Sequence, residues 1–218
     1  KEIIFTRGAT EGINLVASSL SEGIIKGTDE IIISTLEHHS NIIPWQVLAK
    51  KTGAKIVELK PDSKGNIALD DLKRYISNKT KIISLPHITN SIGSILPIEE
   101  ICLYARQKGI ITLVDGCQSA PHIKIDLKKI QPDFYVLSGH KIYGPSGIGV
   151  LYGKQEWLEK LNPYQTGGEM IDYVSIHKAT FADIPNKFEA GTPNIVGAIS
   201  LSSAIDFIND IGINNITE

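Results

Sequence analysis

The sequence offers little for building a disulfide framework: two cysteines, Cys102 and Cys117, in 218 residues. No Cys/His spacing fits a zinc site, so no metal is expected, and a reducing compartment follows, the cytoplasm or an organelle matrix. Charge of one sign is also lacking. A net charge of −2 gives no electrostatic case for nucleic acid or an anionic membrane as partner. No apolar run reaches the roughly 20 residues needed to span a bilayer. There is no initiator Met and no signal peptide, and nothing closes the helical pattern at the end. The chain therefore reads as a piece of something longer, truncated at both ends. Asn78-Lys79-Thr80 and Asn215-Ile216-Thr217 match the glycosylation pattern at the level expected by chance.

What is present is ordinary globular material, 42% hydrophobic and 21% charged, in a chain long enough to bury a proper core. Apolar, β-branched runs recur at Ile3–Phe5, Ile31–Ser34, Lys55–Leu59, Lys81–Leu85, Ile110–Val114, Phe134–Leu137 and Gly149–Tyr152. Between them Glu11–Ile25, Pro44–Thr52, Leu69–Ser77 and Pro97–Lys108 carry apolar residues near a 3.6 period, and a last helical stretch covers Val196–Ile208. Continuous apolar strands alternating with helices predict an α/β fold, a mostly parallel sheet with helices on both faces. The connection from Leu137 to Gly149 is too short for a crossover helix, so one strand there should run antiparallel.

In such sheets ligands bind beyond the carboxyl ends of the strands. The unusual polar residues fall there: Glu37-His38-His39, His87 to Asn90, Asp115-Gly116-Cys117-Gln118 and Ser138-Gly139-His140-Lys141. The first turn, Thr6-Arg7-Gly8-Ala9-Thr10, leads into a helix whose free N–H groups and dipole favour an anion. Thr10 there is either an anion ligand or an ordinary N-cap, the commoner role for Thr before a helix. Ser138 and His140 could serve the same anion. Gly147-Ile148-Gly149 leads into a strand and is no dinucleotide fingerprint, and Ser138 lacks a nucleophile elbow.

Lys141 sits among Ile142, Tyr143 and Pro145, apolar neighbours that suit a desolvated Schiff-base lysine. Asp115 complements it. A carboxylate ending a buried strand needs a cation or good donors, and a protonated pyridine nitrogen about 4 Å away would be worth roughly 4 kcal/mol at an effective dielectric near 20. Capping of a turn is the competing role for Asp115.

The string Asp133-Phe134-Tyr135-Val136-Leu137-Ser138-Gly139-His140-Lys141-Ile142-Tyr143-Gly144-Pro145 resembles the lysine motif of the class V aminotransferase family, in its cysteine desulfurase and selenocysteine lyase group. Arg7-Gly8-Ala9-Thr10-Glu11-Gly12-Ile13-Asn14, Glu37-His38-His39-Ser40-Asn41, Val114-Asp115-Gly116-Cys117-Gln118 and Glu189-Ala190-Gly191-Thr192-Pro193-Asn194 match in the same order. The resemblance implies the large domain of fold type I pyridoxal 5'-phosphate enzymes over residues 1–218. It further implies desulfuration of L-cysteine for iron–sulfur assembly, a homodimer and a sulfur-acceptor protein. By the same resemblance Lys141 would hold the cofactor and move the Cα proton, Asp115 would pair with the ring nitrogen, and Gln118 would donate to the ring oxygen. His38 would stack on the ring and take part in proton transfer. Thr10, Ala9, Ser138 and His140 would bind the phosphate, Thr192 the phosphate of a neighbouring subunit, and Asn90 the substrate carboxylate. Surface histidine and turn residue are the competing roles for His38 and Asn90. The family's persulfide cysteine lies in a smaller C-terminal domain that is expected to be missing here. Lys187 stands where Arg is commoner, which predicts weaker bidentate anion contacts. His87, His122 and His177 are read as structural. Another aminotransferase-like activity, selenocysteine lyase, and a non-catalytic scaffold with the same fold are the alternatives.

Overall fold

The computed structural model describes residues 1–217. Its strands are β1 (Ile3–Thr6), β2 (Glu30–Ser34), β3 (Lys55–Leu59), β4 (Thr80–Pro86), β5 (Ile111–Asp115), β6 (Phe134–Ser138) and β7 (Gly149–Gly153). They form one sheet in the order β1-β7-β6-β5-β4-β2-β3. Only β7 runs against the others, pairing antiparallel with both β1 and β6. The predicted mostly parallel sheet with one reversed strand is what the chain builds.

Side-chain alternation along the strands supplies two apolar faces. Phe134 and Val136 of β6 and Ile82 of β4 join one buried cluster, while Tyr135 and Ile83 join the other. The first face is covered by α1 (Ala9–Leu20), α2 (Ile43–Thr52) and α6 (Gln155–Lys160), through Ile13, Val16, Trp45, Leu48 and Leu158. The second is covered by α3 (Leu69–Lys73), α4 (Ile98–Gln107) and α5 (Leu127–Ile130), through Leu72, Ile98, Ile101, Ala105 and Ile130. A third, small cluster seats α7 (Ile195–Ile211) by Leu201 against Ile142 and Ile148; α8 (Ile213–Thr217) follows.

Helix ends differ from the sequence expectation for local reasons. The first helix begins at Ala9 rather than Glu11, and it stops at Leu20 because the following turn passes through Gly23 at φ 96°. The third stops at Lys73 rather than Ser77, where Thr80 Oγ1 accepts from the Ser77 N–H at 2.9 Å and turns the chain into β4. A two-stranded antiparallel ribbon, β8 (Ile171–Val174) and β9 (Ala179–Phe181), was not anticipated. It lies mostly exposed, so its sequence carries no inside–outside alternation.

At the sheet's amino edge sits a partly buried ion pair. Asp133 accepts from Thr112 N (2.8 Å) and Thr112 Oγ1 (3.1 Å), and its other oxygen meets Lys154 Nζ at 2.7 Å. This lattice ties the starts of β5 and β6 together, well away from their carboxyl ends.

Candidate active site

Strand β2 is flanked by β3 and β4, so chain direction across the sheet reverses there. The connections leaving β2 and β4 pass to opposite faces, through α2 and α4, and a crevice opens beyond the strand ends. His38 after β2, Asn90 after β4, Asp115 and Gln118 at the end of β5, and Lys141 after β6 all line one cavity there, with Cys117. Four separate strand ends therefore deliver the five residues to one place.

Asp115 is the last residue of β5 and is buried. Its Oδ1 accepts from Cys117 N at 2.9 Å, the turn-capping contact anticipated as its competing role. Among the described residues no other donor reaches the carboxylate, which leaves its second oxygen for a partner in the cavity. Lys141 ends a 3-10 turn, Gly139–Lys141, and is half-buried. Ile142 is buried beneath it, but Tyr143 does not help desolvate the lysine as expected. It adopts φ 62°, points outward with 58% exposure and packs edge-on against Phe207.

Cys117 is buried, and burial first, then the Asp115 charge, pushes its thiol up to about 12. Burial raises Cys102 to about 12 as well, on the core face of α4. Neither sulfur is a thiolate near neutral pH.

His38 is exposed at the head of a 3-10 turn, His39–Asn41. Its Nδ1 accepts from Ser40 N at 3.2 Å and lies 3.0 Å from Ser40 Oγ. The turn stands on a buried polar network that the sequence did not flag. Glu37 receives Ser34 Oγ (2.9 Å) and Asn41 Nδ2 (2.8 Å), and Asn41 Oδ1 receives Trp45 Nε1 (2.9 Å) and Ser84 Oγ (2.7 Å). Burial drives the Glu37 carboxyl up to about 8, with a smaller push from Asp115 and partial relief from its two donors. Its signal was available: an acidic residue three positions beyond the apolar run that becomes β2.

The amino end of α1 forms a second cavity, lined by Thr10, Ser138, His140, Gly8 and Arg7. Thr10 is not the N-cap. Gly8 holds that position at φ 154°, a backbone region glycine favours, and Gly149 of β7 is pressed so close that a Cβ on it would lie 2.5 Å from Gly8 Cα. The Thr10 hydroxyl instead meets Ser40 Oγ at 2.7 Å. The Ala9 N–H, expected at the phosphate, here donates to Ser138 Oγ at 2.9 Å. That contact uses a Ser138 lone pair and leaves the hydroxyl proton free to point outward.

Thr192 is exposed in a groove with Phe5 and Glu189 that adjoins the second cavity through Arg7, Glu11 and Tyr164, but it lines neither cavity itself. Lys187 makes no anion contact. Its Nζ donates to the carbonyls of Leu158 (3.1 Å) and Glu159 (3.2 Å), and burial lowers its pKa. His87 is buried with Nδ1 3.1 Å from Tyr135 Oη and is held down at about 4 by burial. The His122 ring bonds the Gln118 carbonyl at 2.7 Å, through Nδ1. His177 occupies the tip between β8 and β9. Among the described residues no His/Cys/Asp/Glu cluster could hold a metal, and no helix is long and apolar enough to cross a membrane.

The profile of the family described as aminotransferase class-V matches residues 1–218. A probable cysteine desulfurase of Halalkalibacterium halodurans is 52% identical over 216 residues, covering 99% of this chain and 53% of the relative. The structure of the cysteine desulfurase CsdA of Escherichia coli superposes with a TM-score of 0.95 at 41% identity, over 98% of this chain and 54% of that one. A C-DES mutant with glycine covalently linked to its PLP cofactor superposes with a TM-score of 0.87 at 27% identity, over 97% and 56%. The chain spans about half the length of the curated relatives it matches.

Proposed function

The chain belongs to the class V aminotransferase family, and from that premise we propose that it is the cofactor-binding part of a pyridoxal-phosphate-dependent cysteine desulfurase. The observation that carries the reading is the single cavity where Lys141, Asp115, Gln118, His38 and Asn90 meet. The donor set fits the cofactor's chemistry. An open carboxylate oxygen on Asp115 suits a protonated ring nitrogen, and the outward Ser138 hydroxyl with the α1 amino end suits a phosphate dianion.

When bound, pyridoxal phosphate supplies an electron sink for the pair left when a proton leaves the substrate's Cα. Lys141 offers the amine that would hold the aldehyde and afterwards take and return the Cα proton. Asp115 would hold the ring nitrogen in its protonated form, and Gln118 would donate its amide N–H to the ring oxygen. His38, with Nδ1 engaged by Ser40, presents its other ring nitrogen for proton transfer. Thr10, Ser138 and His140 would grip the phosphate, and Asn90 the carboxylate of L-cysteine. Thr192, which lines neither cavity itself, would serve the phosphate of a second subunit in a homodimer.

The products would be L-alanine and a protein persulfide, passed to a sulfur-acceptor protein for iron–sulfur assembly in the cytoplasm or an organelle matrix. Two buried thiols at about 12 support placing the persulfide cysteine outside this chain, in a second and smaller domain. The test is borohydride reduction of the cofactor-loaded protein followed by peptide mapping. Pyridoxyl is expected on Lys141; label on another lysine, or none, would overturn the assignment.

A further inference from the structure

Ser40 enters the reading above only as a partner of the His38 ring, yet its hydroxyl joins the two cavities. Ser40 Oγ lies 2.7 Å from Thr10 Oγ1 in one and 3.0 Å from His38 Nδ1 in the other. Its backbone N–H donates to the same Nδ1 at 3.2 Å. An amide N–H can only donate, so Nδ1 is an acceptor and the neutral ring carries its proton on Nε2. The turn beneath is fixed: Asn41 N donates to His38 O at 2.8 Å, and the Asn41 side chain is locked by Glu37, Trp45 and Ser84.

Each hydroxyl in this chain has one proton to give. When Thr10 donates to an anion at the start of α1, its oxygen accepts from Ser40, and the Ser40 proton turns away from His38. Without an anion, Thr10 donates to Ser40 and Ser40 donates to Nδ1. The direction of two hydroxyl groups thereby links the anion site to the ring.

We propose that Ser40 is a positioning residue that couples anion binding at Thr10 to the hydrogen bonding and orientation of the His38 ring. This rests on the reading of Thr10 as an anion ligand and of His38 as a ring neighbour. The test uses the intact protein labelled with 15N-histidine, cofactor-free, titrated with inorganic phosphate. Wild type should show His38 protonated on Nε2, with an Nδ1 resonance that moves as phosphate binds. Ser40→Ala should lose most of that movement, and Ser40→Thr should restore it. Phosphate binding with equal movement in Ser40→Ala, or with none in wild type, overturns the coupling alone. Failure of wild type to bind phosphate overturns both the coupling and the anion reading. In cofactor-loaded protein, Ser40→Ala should weaken retention about 3- to 10-fold, the loss of one neutral hydrogen bond. Combined with Thr10→Ala, it should cost less than the sum of the two single changes; full additivity would also overturn the chain.

Discussion

Two aspartates on neighbouring parts of the sheet are buried to the same extent, 7% exposed each, and live under opposite conditions. Asp133, at the amino edge, is saturated by Thr112 and Lys154. Asp115, at the carboxyl edge, has one backbone donor, from Cys117. The second oxygen of Asp115 reaches the cavity and stays available to a partner there, whereas both oxygens of Asp133 are engaged within the protein. Burial alone does not separate a structural carboxylate from a functional one; the count of its donors does.

The sharpest way to break that comparison is to neutralise each carboxylate in turn. Asp115→Asn should lower cofactor-dependent turnover by about 10²- to 10³-fold, the loss of a pair worth roughly 4 kcal/mol, with little change in melting temperature. Asp133→Ala should do the reverse, destabilising the fold by about 3 kcal/mol because Lys154 loses its partner, while the cofactor's visible spectrum stays unchanged. Turnover of the whole enzyme, thermal melts and absorbance spectra of both variants decide it. The comparison fails if both variants move the same observable.

Glu37 sharpens it as a third carboxyl, buried with two donors and no cation. Its folded value of about 8 lies above the ordinary 4.5, so the folded state holds the extra proton. Stability contributed by that proton is fully present below pH 4.5 and is lost as pH climbs through about 8. Glu37→Gln does not titrate. It should match wild type near pH 4.5 and exceed it by about 2–4 kcal/mol above pH 8, measured by denaturant midpoints across the range. Charging of His87 at low pH acts on both proteins and cancels in the difference. Parallel pH curves would show that the Glu37 carboxyl ionises freely in the fold.

The smallest effect belongs to Cys117→Ser. The thiol lines the cavity but stays protonated and only donates weakly to Ser138 Oγ, at 3.6 Å. Cofactor retention should change by no more than about twofold, the scale of a weak hydrogen bond. A persulfide trapped on Cys117 would make it a nucleophile and remove the contrast with a cysteine elsewhere.

The sheet was legible because apolar runs of three to five residues, spaced by helical periods, admit little besides a parallel α/β arrangement, and the short Leu137–Gly149 link dictates one reversal. The ring end of the site was legible because its residues are strand ends. Elsewhere the pattern was silent. The β8–β9 ribbon is exposed on both sides and shows no alternation. The Glu37–Asn41–Ser84 network is assembled from two distant chain segments, the turn after β2 and a serine inside β4, whose polar residues show no link in sequence. Tyr143 reads as apolar cover in sequence, but a positive φ turns it outward, and no local pattern foretells that. Ala9 sits where an anion ligand should, yet its N–H is claimed by a residue 129 positions later.

The reversed strand also sets a clock. Strand β1 has one neighbour in the sheet, β7, so Ile3 waits for Tyr152 and Thr6 for Gly149. As the chain leaves the ribosome at about 5–20 residues per second, its first strand stays unpaired for roughly ten seconds or more. The Gly8–Gly149 contact and the Ala9–Ser138 bond that shape the anion cradle wait with it. Nascent chains arrested before residue 149 should therefore bind no phosphate-bearing cofactor, even though Lys141 has already been made. Cofactor capture then follows the synthesis of residue 149, gated by the arrival of the strand that runs backwards.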